Sequence, residues 1–181
     1  GVGFSLGWTD GTSHGCLSLG AEDGVATSNS WSQLSTAHVL SLWSNQTTVY
    51  EELTHVSFDA GGFTVNCEHD VGFLEMAYVA IRATSVKVGT QAMQTGTGQF
   101  SNTSTSFTPA SIFMAVSAAA TADQSAPNAG VSAGWGAASA ADAQGAVSIF
   151  DEDAQADADT QDAHRTDAML DYFQARAAHT D

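Results

Sequence analysis

Apolar and polar residues alternate between positions 54 and 67, which is the pattern of strands that bury one face. The alternation includes Val56 and Phe58, stops at Gly61 and Gly62, and resumes after them. A pair of glycines between two alternating runs is typical of a turn or a β-bulge. We therefore predict two half-buried strands that are joined at the glycines.

A nearly continuous apolar run follows at residues 73–81. It fits a central strand covered on both faces or a short helix, and the neighbouring strand signals favour the strand. Val86 and Val88 begin a further strand, and residues 111–116, SIFMAV, form another after a loop rich in Ser, Thr and Gly at 96–106. Short strands separated by Gly, Ser, Asn and Asp clusters predict an all-β fold, an antiparallel β-sandwich of jelly-roll-like type.

The segment at residues 1–43 returns, degenerate but in register, as residues 128–173. We call this the echo. The matched residues include Gly3 with Gly130, Ser5 with Ser132, Gly7 with Gly134 and Trp8 with Trp135 and, beyond one small loop insertion, Ser18 with Ser148 and Leu40 with Leu170. A period of about 130 residues is too long for a solenoid and fits a β-domain repeated in tandem. The chain therefore holds about one and a third copies of this unit.

One segment has conflicting signals. Residues 168–178 carry apolar side chains at helical spacing, whereas their counterparts at residues 38–50 are rich in Ser, Thr and β-branched residues. Because two copies of one fold share their elements, we predict a strand in both places.

The repeat divides the chain into residues 1–85, the rear part of one β unit, and residues 86–181, the front part of a second. Each part alone would expose an apolar face and unpaired strand edges, which is unstable in water. Three arrangements cover these surfaces. A longer polypeptide supplies the missing parts, neighbouring subunits complete each other head to tail, or the two copies pack on each other as a single compact body. The second arrangement is open-ended and would build a filament or lattice.

The chain has four Lys and Arg against twenty Asp and Glu, so its formal net charge at pH 7 is -16. Nucleic acids are bound through Lys and Arg that displace counterions, so the composition argues against a nucleic-acid partner. No apolar run is long enough to span a bilayer, so we expect no membrane insertion. The acidity suits a protein in salt water or outside a cell, and it also fits an ordinary soluble surface.

The densest carboxylate cluster lies at residues 151–162, DEDAQADADTQD. Within it Asp157, Asp159 and Asp162 are candidate ligands for Ca²⁺, which prefers several hard oxygen ligands. A solvated acidic loop is the favoured alternative, because the cluster lacks the glycine and the glutamate of an EF-hand. We expect no cofactor, with calcium as the one candidate ion.

Two further groups have metal-binding chemistry. Glu22 and Asp23 recur as Glu152 and Asp153, and a turn-forming or capping role explains this better than a metal site. The tripeptide at residues 68–70, Glu-His-Asp, offers a ligand or a base, but no second His stands at helical spacing from its own.

Signals for nucleophilic catalysis are missing. The pattern G-x-S-x-G occurs around Ser5 and Ser132, yet neither lies at a strand-turn-helix junction, so we predict no catalytic residue. Cys16 and Cys67 are the two cysteines, and Ala146 matches Cys16 in the echo. We therefore expect two buried thiols rather than a disulfide.

Trp31, Trp43 and Tyr50 are candidates for an aromatic platform on which a sugar ring could stack. Packing in the core is the favoured alternative, because Trp8 recurs as Trp135 at one position of the echo, as core residues do.

Residues 22–28, EDGVATS, and residues 56–66, VSFDAGGFTVN, are followed by an apolar run at 78–81, YVAI. These phrases resemble a repeated β-rich module in virion proteins of tailed bacteriophages and in related environmental sequences. The resemblance implies a structural or appendage role, and it supplies no catalytic residues.

We therefore predict a non-enzymatic structural protein on a virion surface or in an extracellular filament, as a decoration, tail or fibre component. Its expected partners are copies of itself and other structural subunits, met through β-sandwich faces and edges. The runner-up is an extracellular carbohydrate-binding module that binds a glycan through its aromatic platform. A third class is a hydrolase with a site assembled from scattered carboxylates.

Overall fold

The computed structural model describes residues 2–70, 72, 75–93, 96–99, 101–117, 127–140, 143–156, 160–175 and 178–180. Over these ranges the chain forms strands and no helix, which confirms the predicted all-β class. The strands are β1 (Val2–Thr9), β2 (His14–Ala21), β3 (Ser30–Ser35), β4 (Leu40–Trp43), β5 (Val49–Asp59), β6 (Gly62–Asp70), β7 (Ile112–Ser117), β8 (Asn128–Ala129), β9 (Val131–Ala140), β10 (Ala143–Asp151), β11 (Thr160–Arg165), β12 (Tyr172–Ala175) and β13 (Ala178–Thr180).

The strand pairs are antiparallel and form several sheets. The N-terminal sheet has the order β1-β2-β3-β8, and the C-terminal sheet has the order β11-β10-β9-β7. The hairpin sheet has the order β4-β5-β6, and β12 pairs with β13. Within the hairpin sheet, β5 and β6 turn after the pair Asp59 and Gly62, so the two strands predicted around the glycines are confirmed.

Both segments of the echo form a three-stranded meander, β1-β2-β3 and β9-β10-β11. Cys16 faces Ser35 across β2 and β3, and their echo counterparts Ala146 and Arg165 also face each other. The first two strands differ, because Trp8 faces Gly15 whereas Trp135 faces Val147. The two meanders therefore share the register of their second strand pair and differ in the register of their first strand pair.

The N-terminal and C-terminal sheets pack face to face. Leu17, Val131 and Ala133 are buried between them, and full burial of a leucine side chain contributes roughly 2 kcal/mol. Partly buried residues surround this centre, namely Trp8, Leu19, Ala115, Trp135 and Ile149. Phe4 stacks on Trp135 with 5.7 Å between the ring centroids. In the described residues the two segments of the echo thus contact each other, while the choice among the three expected arrangements stays a prediction.

The outer faces of both sheets are covered by the strand that follows each meander. β4 packs on β1 and β2, and β12 packs on β9 and β10. The contacts are related by the echo, since the Ser5 hydroxyl oxygen accepts a hydrogen bond from the Ser41 N–H, and the Ser132 hydroxyl donates one to the Phe173 carbonyl. The predicted strand at residues 168–178 is confirmed for Tyr172–Ala175, while residues 168–171 precede it.

The prediction of a central strand at residues 73–81 is wrong for its described part, residues 75–81. These residues are irregular, and Val79 and Ile81 are 86% and 78% exposed. A strand is held by hydrogen bonds to a neighbour, and no described strand pairs with this run. Val86 and Val88 do not form the expected strand either, because the Val88 N–H donates to the Asp10 carboxylate instead.

No disulfide joins Cys16 to Cys67, as expected. Cys16 is buried in β2, but Cys67 is exposed on β6, so the expectation of two buried thiols is wrong for Cys67. Most residues of β6 are exposed and only Phe63 and Val65 are half-buried, so the alternating pattern of this strand does not extend burial to Cys67.

Candidate assembly surface

The aromatic residues expected to bind a sugar lie mostly in the interior. Trp31 is 2% exposed and Trp43 is 7% exposed, while Tyr50 is half-buried. The Trp31 ring lies so close to Gly20 that a side chain at that position would overlap it. Neither indole has a face open to a ligand, so Trp31 and Trp43 occupy the core, and the structure contains no platform made of these rings.

The candidate calcium ligands are only partly covered by the structure. Asp157 and Asp159 lie outside the described residues. Asp162 is exposed on β11, opposite Ile149 of β10. In the part of the chain that the structure describes, no group of three or more His, Cys, Asp or Glu side chains is placed to hold a metal ion. The calcium site stays a prediction.

The acidic pairs of the echo make separate contacts rather than gather around a common point. One Asp153 carboxylate oxygen accepts hydrogen bonds from the Ser30 N–H and from the Gln46 amide, each at 3.0 Å. The Glu22 carboxylate accepts one from the Asn29 amide at 2.7 Å. Nearby, the backbones of residues 28 and 154–155 exchange hydrogen bonds of 2.7 and 2.8 Å. These contacts fix the end of the sandwich.

A serine, a histidine and two glutamates meet where the N-terminal sheet contacts the hairpin sheet. The Ser35 hydroxyl lies 3.2 Å from His38 Nδ1. His38 Nε2 lies 3.8 Å from the Glu52 carboxylate and 3.7 Å from the Glu68 carboxylate. The sequence-based search did not find this cluster, because its members come from β3, a turn, β5 and β6. The spacing of Ser35 and His38 was the one local signal.

This cluster resembles the residue set of a hydrolase, but its geometry does not favour nucleophilic attack. Ser35 is 3% exposed, and its hydroxyl oxygen also accepts the Ala37 N–H at 3.2 Å. A nucleophile needs an open approach and a free lone pair. The Glu52 carboxylate accepts a hydrogen bond from Ser41, which ties the cluster into the packing between the sheets. His69, the histidine of the predicted Glu-His-Asp group, is exposed and faces Glu52 across the strand pair.

The exposed thiol of Cys67 is a poor nucleophile. Desolvation, and then the nearby Asp70 and Glu51 carboxylates, raise the pKa of the Cys67 thiol. The thiolate is the reactive form of cysteine, so a raised pKa keeps this side chain protonated and slow to react.

Several exposed apolar side chains lie in the segment at residues 75–93, which we call the apolar segment. Its exposed large side chains are Met76, Tyr78, Val79, Ile81, Val86 and Met93. Tyr78 contacts Phe63 of β6 edge-to-face, with 5.1 Å between the ring centroids, and so lies against the hairpin sheet. Val56 and Phe58 on β5 are exposed as well. Exposed apolar patches of this kind mark surfaces that bind other molecules.

The outer strands of the described sheets have an open side, and β1 and β7 are two of these strands. β1 is an outer strand of the N-terminal sheet and β7 is an outer strand of the C-terminal sheet, and no described strand pairs with their free sides. Val2 is 68% exposed on β1, and Ile112 and Phe113 are exposed on β7. An unpaired apolar strand is a ready template for pairing with another chain.

A shallow cleft of about 400 Å³ lies on the C-terminal sheet. Small residues of β9 and β10 form part of its lining, together with Phe113, Trp135, Val147, His164 and Arg165. The Arg165 guanidinium donates two hydrogen bonds, of 2.9 and 3.0 Å, to the Asp167 carboxylate. The cleft therefore offers mainly aromatic and aliphatic contact.

Comparison of the chain with models of known families, with curated proteins and with solved structures gives no match. Over the described ranges, no helix has the length and apolar character needed to cross a membrane. The likeness to phage virion modules thus stays a prediction from sequence.

Proposed function

We propose that this chain is a non-enzymatic structural subunit that assembles with copies of itself and with other subunits into a particle or filament. The observation that carries the proposal is the apolar segment, in which Val79 and Ile81 are almost fully exposed. Soluble monomers rarely keep such side chains together in water. A subunit that buries these side chains on assembly gains hydrophobic stabilisation that the isolated chain lacks.

Burial of the apolar segment would contribute favourably to association. Burying a valine, isoleucine or tyrosine side chain contributes roughly 2 kcal/mol, so Tyr78, Val79 and Ile81 together supply on the order of 5 kcal/mol before the entropic cost of association. Each further apolar contact from β1, β5 or β7 adds to this. Many identical contacts along a particle would then make the assembly stable.

The polar groups of the described residues favour this role over catalysis. The Ser35 hydroxyl beside His38 is buried, and the raised pKa of Cys67 keeps its thiol protonated. The setting on a virion surface or in an extracellular filament is supported by the resemblance of the sequence and by the net charge of -16. High charge keeps subunits soluble before they assemble.

Replacing Val79 and Ile81 by aspartate tests the proposal. We expect the wild-type chain to form oligomers or filaments in sedimentation and electron microscopy, and the double variant to remain smaller under the same conditions. Val25→Asp is the matched control, because Val25 is an exposed valine in a loop outside the apolar segment. A wild-type chain that stays monomeric at high concentration, or a double variant that assembles normally, would sink the proposal.

Carbohydrate binding is the second candidate function. The observation that favours it is the shallow cleft, where Phe113 is exposed beside Trp135. Aromatic rings beside a shallow apolar surface suit the apolar face of a sugar. Binding on a glycan array that Phe113→Ala abolishes, and that Trp31→Phe leaves unchanged in a folded protein, would favour this role.

A further inference from the structure

The two meanders differ at one edge. In the C-terminal sheet β9 is paired on both sides, with β10 and with β7. Its echo counterpart β1 is paired on one side, with β2, and no described strand lies on the other. The echo therefore identifies a place beside β1 that a β7-type strand fills in the other copy.

Resting on the proposed assembly role, we infer that the free edge of β1 (Val2–Thr9) pairs with residues 112–116 on the outer edge of β7 from a second copy of this chain. The pairing is antiparallel, as that of β7 with β9 is. It joins the N-terminal sheet of one copy to the C-terminal sheet of the next. The order of strands through the contact becomes β8-β3-β2-β1 followed by β7-β9-β10-β11 of the second copy.

Charge distribution selects these two edges. The chain has a net charge of -16, so two copies repel each other except where charge is absent. β1 reads VGFSLGWT and β7 reads IFMAVS, and neither contains an acidic or basic residue. The remaining outer strands of the two sheets are less suitable, because β11 carries Asp162 and Arg165 and β8 has two residues.

Natural sheet edges are normally protected from pairing by lysine, proline, inward charges or bulges. β1 and β7 contain no lysine or proline, and the register of β1 with β2 runs from Val2 to Thr9 without a shift. Pairing would cover exposed side chains on both strands, including Val2 and Phe4 on one and Ile112 and Phe113 on the other. Both edges thus have the properties of interface strands.

The contact is heterologous, because it brings two different surfaces together. After one pairing, β7 of one copy and β1 of the other remain unpaired at their outer edges. Growth from these free edges explains how a filament could form from a single kind of subunit. The apolar segment is a separate surface, so it can contact other subunits in the same assembly.

Edge-blocking variants test the inference by complementation. Phe4→Lys charges the β1 edge and leaves β7 intact, and Ile112→Lys does the reverse. We expect each variant alone to lose self-association by roughly tenfold or more. Their mixture should form a one-to-one complex, because the intact β7 of the first pairs with the intact β1 of the second. Val25→Lys is the control, since Val25 is exposed in a loop that belongs to neither edge.

Phe4 also stacks on Trp135, so thermal unfolding is measured for each variant. If Phe4→Lys unfolds, Val2→Lys places the charge on the same strand at its most exposed side chain. The inference would be overturned if Ile112→Lys still self-associates, Phe4→Lys does not, and the two variants form no mixed complex. That outcome would indicate pairing of β1 with β1. Assembly that depends on Val79 and Ile81 but ignores both edge variants would overturn it while leaving the proposed function intact.

Discussion

The indole N–H of Trp43 donates a hydrogen bond to the side-chain oxygen of Gln33, with 2.9 Å between the two atoms. Both side chains are buried, one on β4 and the other on β3. The same Gln33 oxygen accepts a hydrogen bond from Ser41 at 3.2 Å. A polar link inside the protein thus ties the hairpin sheet to the N-terminal sheet.

Removing the indole donor should weaken the fold. Trp43→Phe keeps most of the apolar volume but leaves the Gln33 oxygen with one donor fewer, and we expect a loss of about 1–3 kcal/mol in the free energy of unfolding. Urea denaturation followed by far-ultraviolet circular dichroism measures it. Tyr78→Phe, an aromatic change at an exposed position, is the control and should change stability by less than about 0.5 kcal/mol. Equal effects of the two substitutions would contradict the buried role of Trp43.

The contacts of Asp153 predict a difference between two aspartates that the echo matches. Asp153→Ala removes the acceptor of two hydrogen bonds, from Ser30 and Gln46, and we expect a loss of about 1–3 kcal/mol. Asp153→Asn keeps an acceptor oxygen at the same place and should recover much of this. Asp23→Ala is the matched control at the exposed counterpart. Chemical denaturation of the three variants in parallel measures the effect. An equal loss of unfolding free energy in Asp23→Ala and Asp153→Ala would refute the stabilising role of the Asp153 hydrogen bonds.

Sequence reasoning recovered the fold class and several strands because these depend on local patterns. The alternation around Gly61 and Gly62 encodes a hairpin directly, and the echo indicated the strand that became β12. The strand predicted for the apolar run at residues 73–81 was wrong because composition does not indicate whether a neighbouring strand is present to pair with the run. A run of apolar residues fits a buried strand and an interface segment equally well.

The candidate site was less predictable for a related reason. Whether Trp43 is a surface platform or a core residue depends on Gln33, which comes from another strand. The cluster of Ser35, His38 and two glutamates likewise needs β5 and β6 to lie beside β3. The free edge of β1 follows from sheet order, which no local pattern specifies.

The Asp10 carboxylate should make stability depend on pH. It accepts backbone hydrogen bonds from Thr12, Ser13 and Val88 at 2.9, 2.7 and 2.8 Å. Desolvation acts to raise the pKa of Asp10, but the hydrogen bonds outweigh it and hold the pKa below its ordinary value of 3.8. A lowered pKa means that the ionised form contributes stability above the unfolded value, and that this contribution is lost as the pH falls through the folded value.

The unfolding free energies of Asp10→Ala and of the wild type should therefore converge as the pH falls below 3.8. Protonation removes the contribution of the ionised carboxylate from the wild type at low pH, whereas the substitution removes it at every pH. At neutral pH we expect the variant to be about 1–3 kcal/mol less stable. A gap between the two proteins that does not narrow at low pH would refute this role of the carboxylate.

Glu51 should change the stability of the protein with pH in the opposite direction to Asp10. Desolvation, and then Asp70 directly across the strand pair, raise the pKa of Glu51 above its ordinary value of 4.5. A raised pKa means that the protonated form of Glu51 contributes stability at pH values below its pKa in the unfolded state. This contribution is lost as the pH rises through the pKa of Glu51 in the folded state. Glu51→Gln should then stabilise the protein at neutral pH by up to about 1 kcal/mol, and Asp70→Asn should do the same. In a double-mutant cycle the two gains should not add, because either substitution removes the repulsion, and full additivity would contradict it.

Gly7 and Gly134 occupy matched positions of the echo and should respond alike to alanine. A Cβ added at Gly7 would overlap the Val39 carbonyl oxygen, and one added at Gly134 would overlap the Asp171 carbonyl oxygen. Both obstacles are backbone atoms just ahead of the covering strand, so relief requires β4 or β12 to move away from its sheet. We expect each alanine variant to lose more than about 2 kcal/mol of unfolding free energy, in line with severe overpacking. Gly61→Ala is the control, because no atom lies within 4 Å of a Cβ at that turn. Thermal melts in which Gly7→Ala and Gly134→Ala match Gly61→Ala would show that the covering strands do not lie as close to the meanders as described.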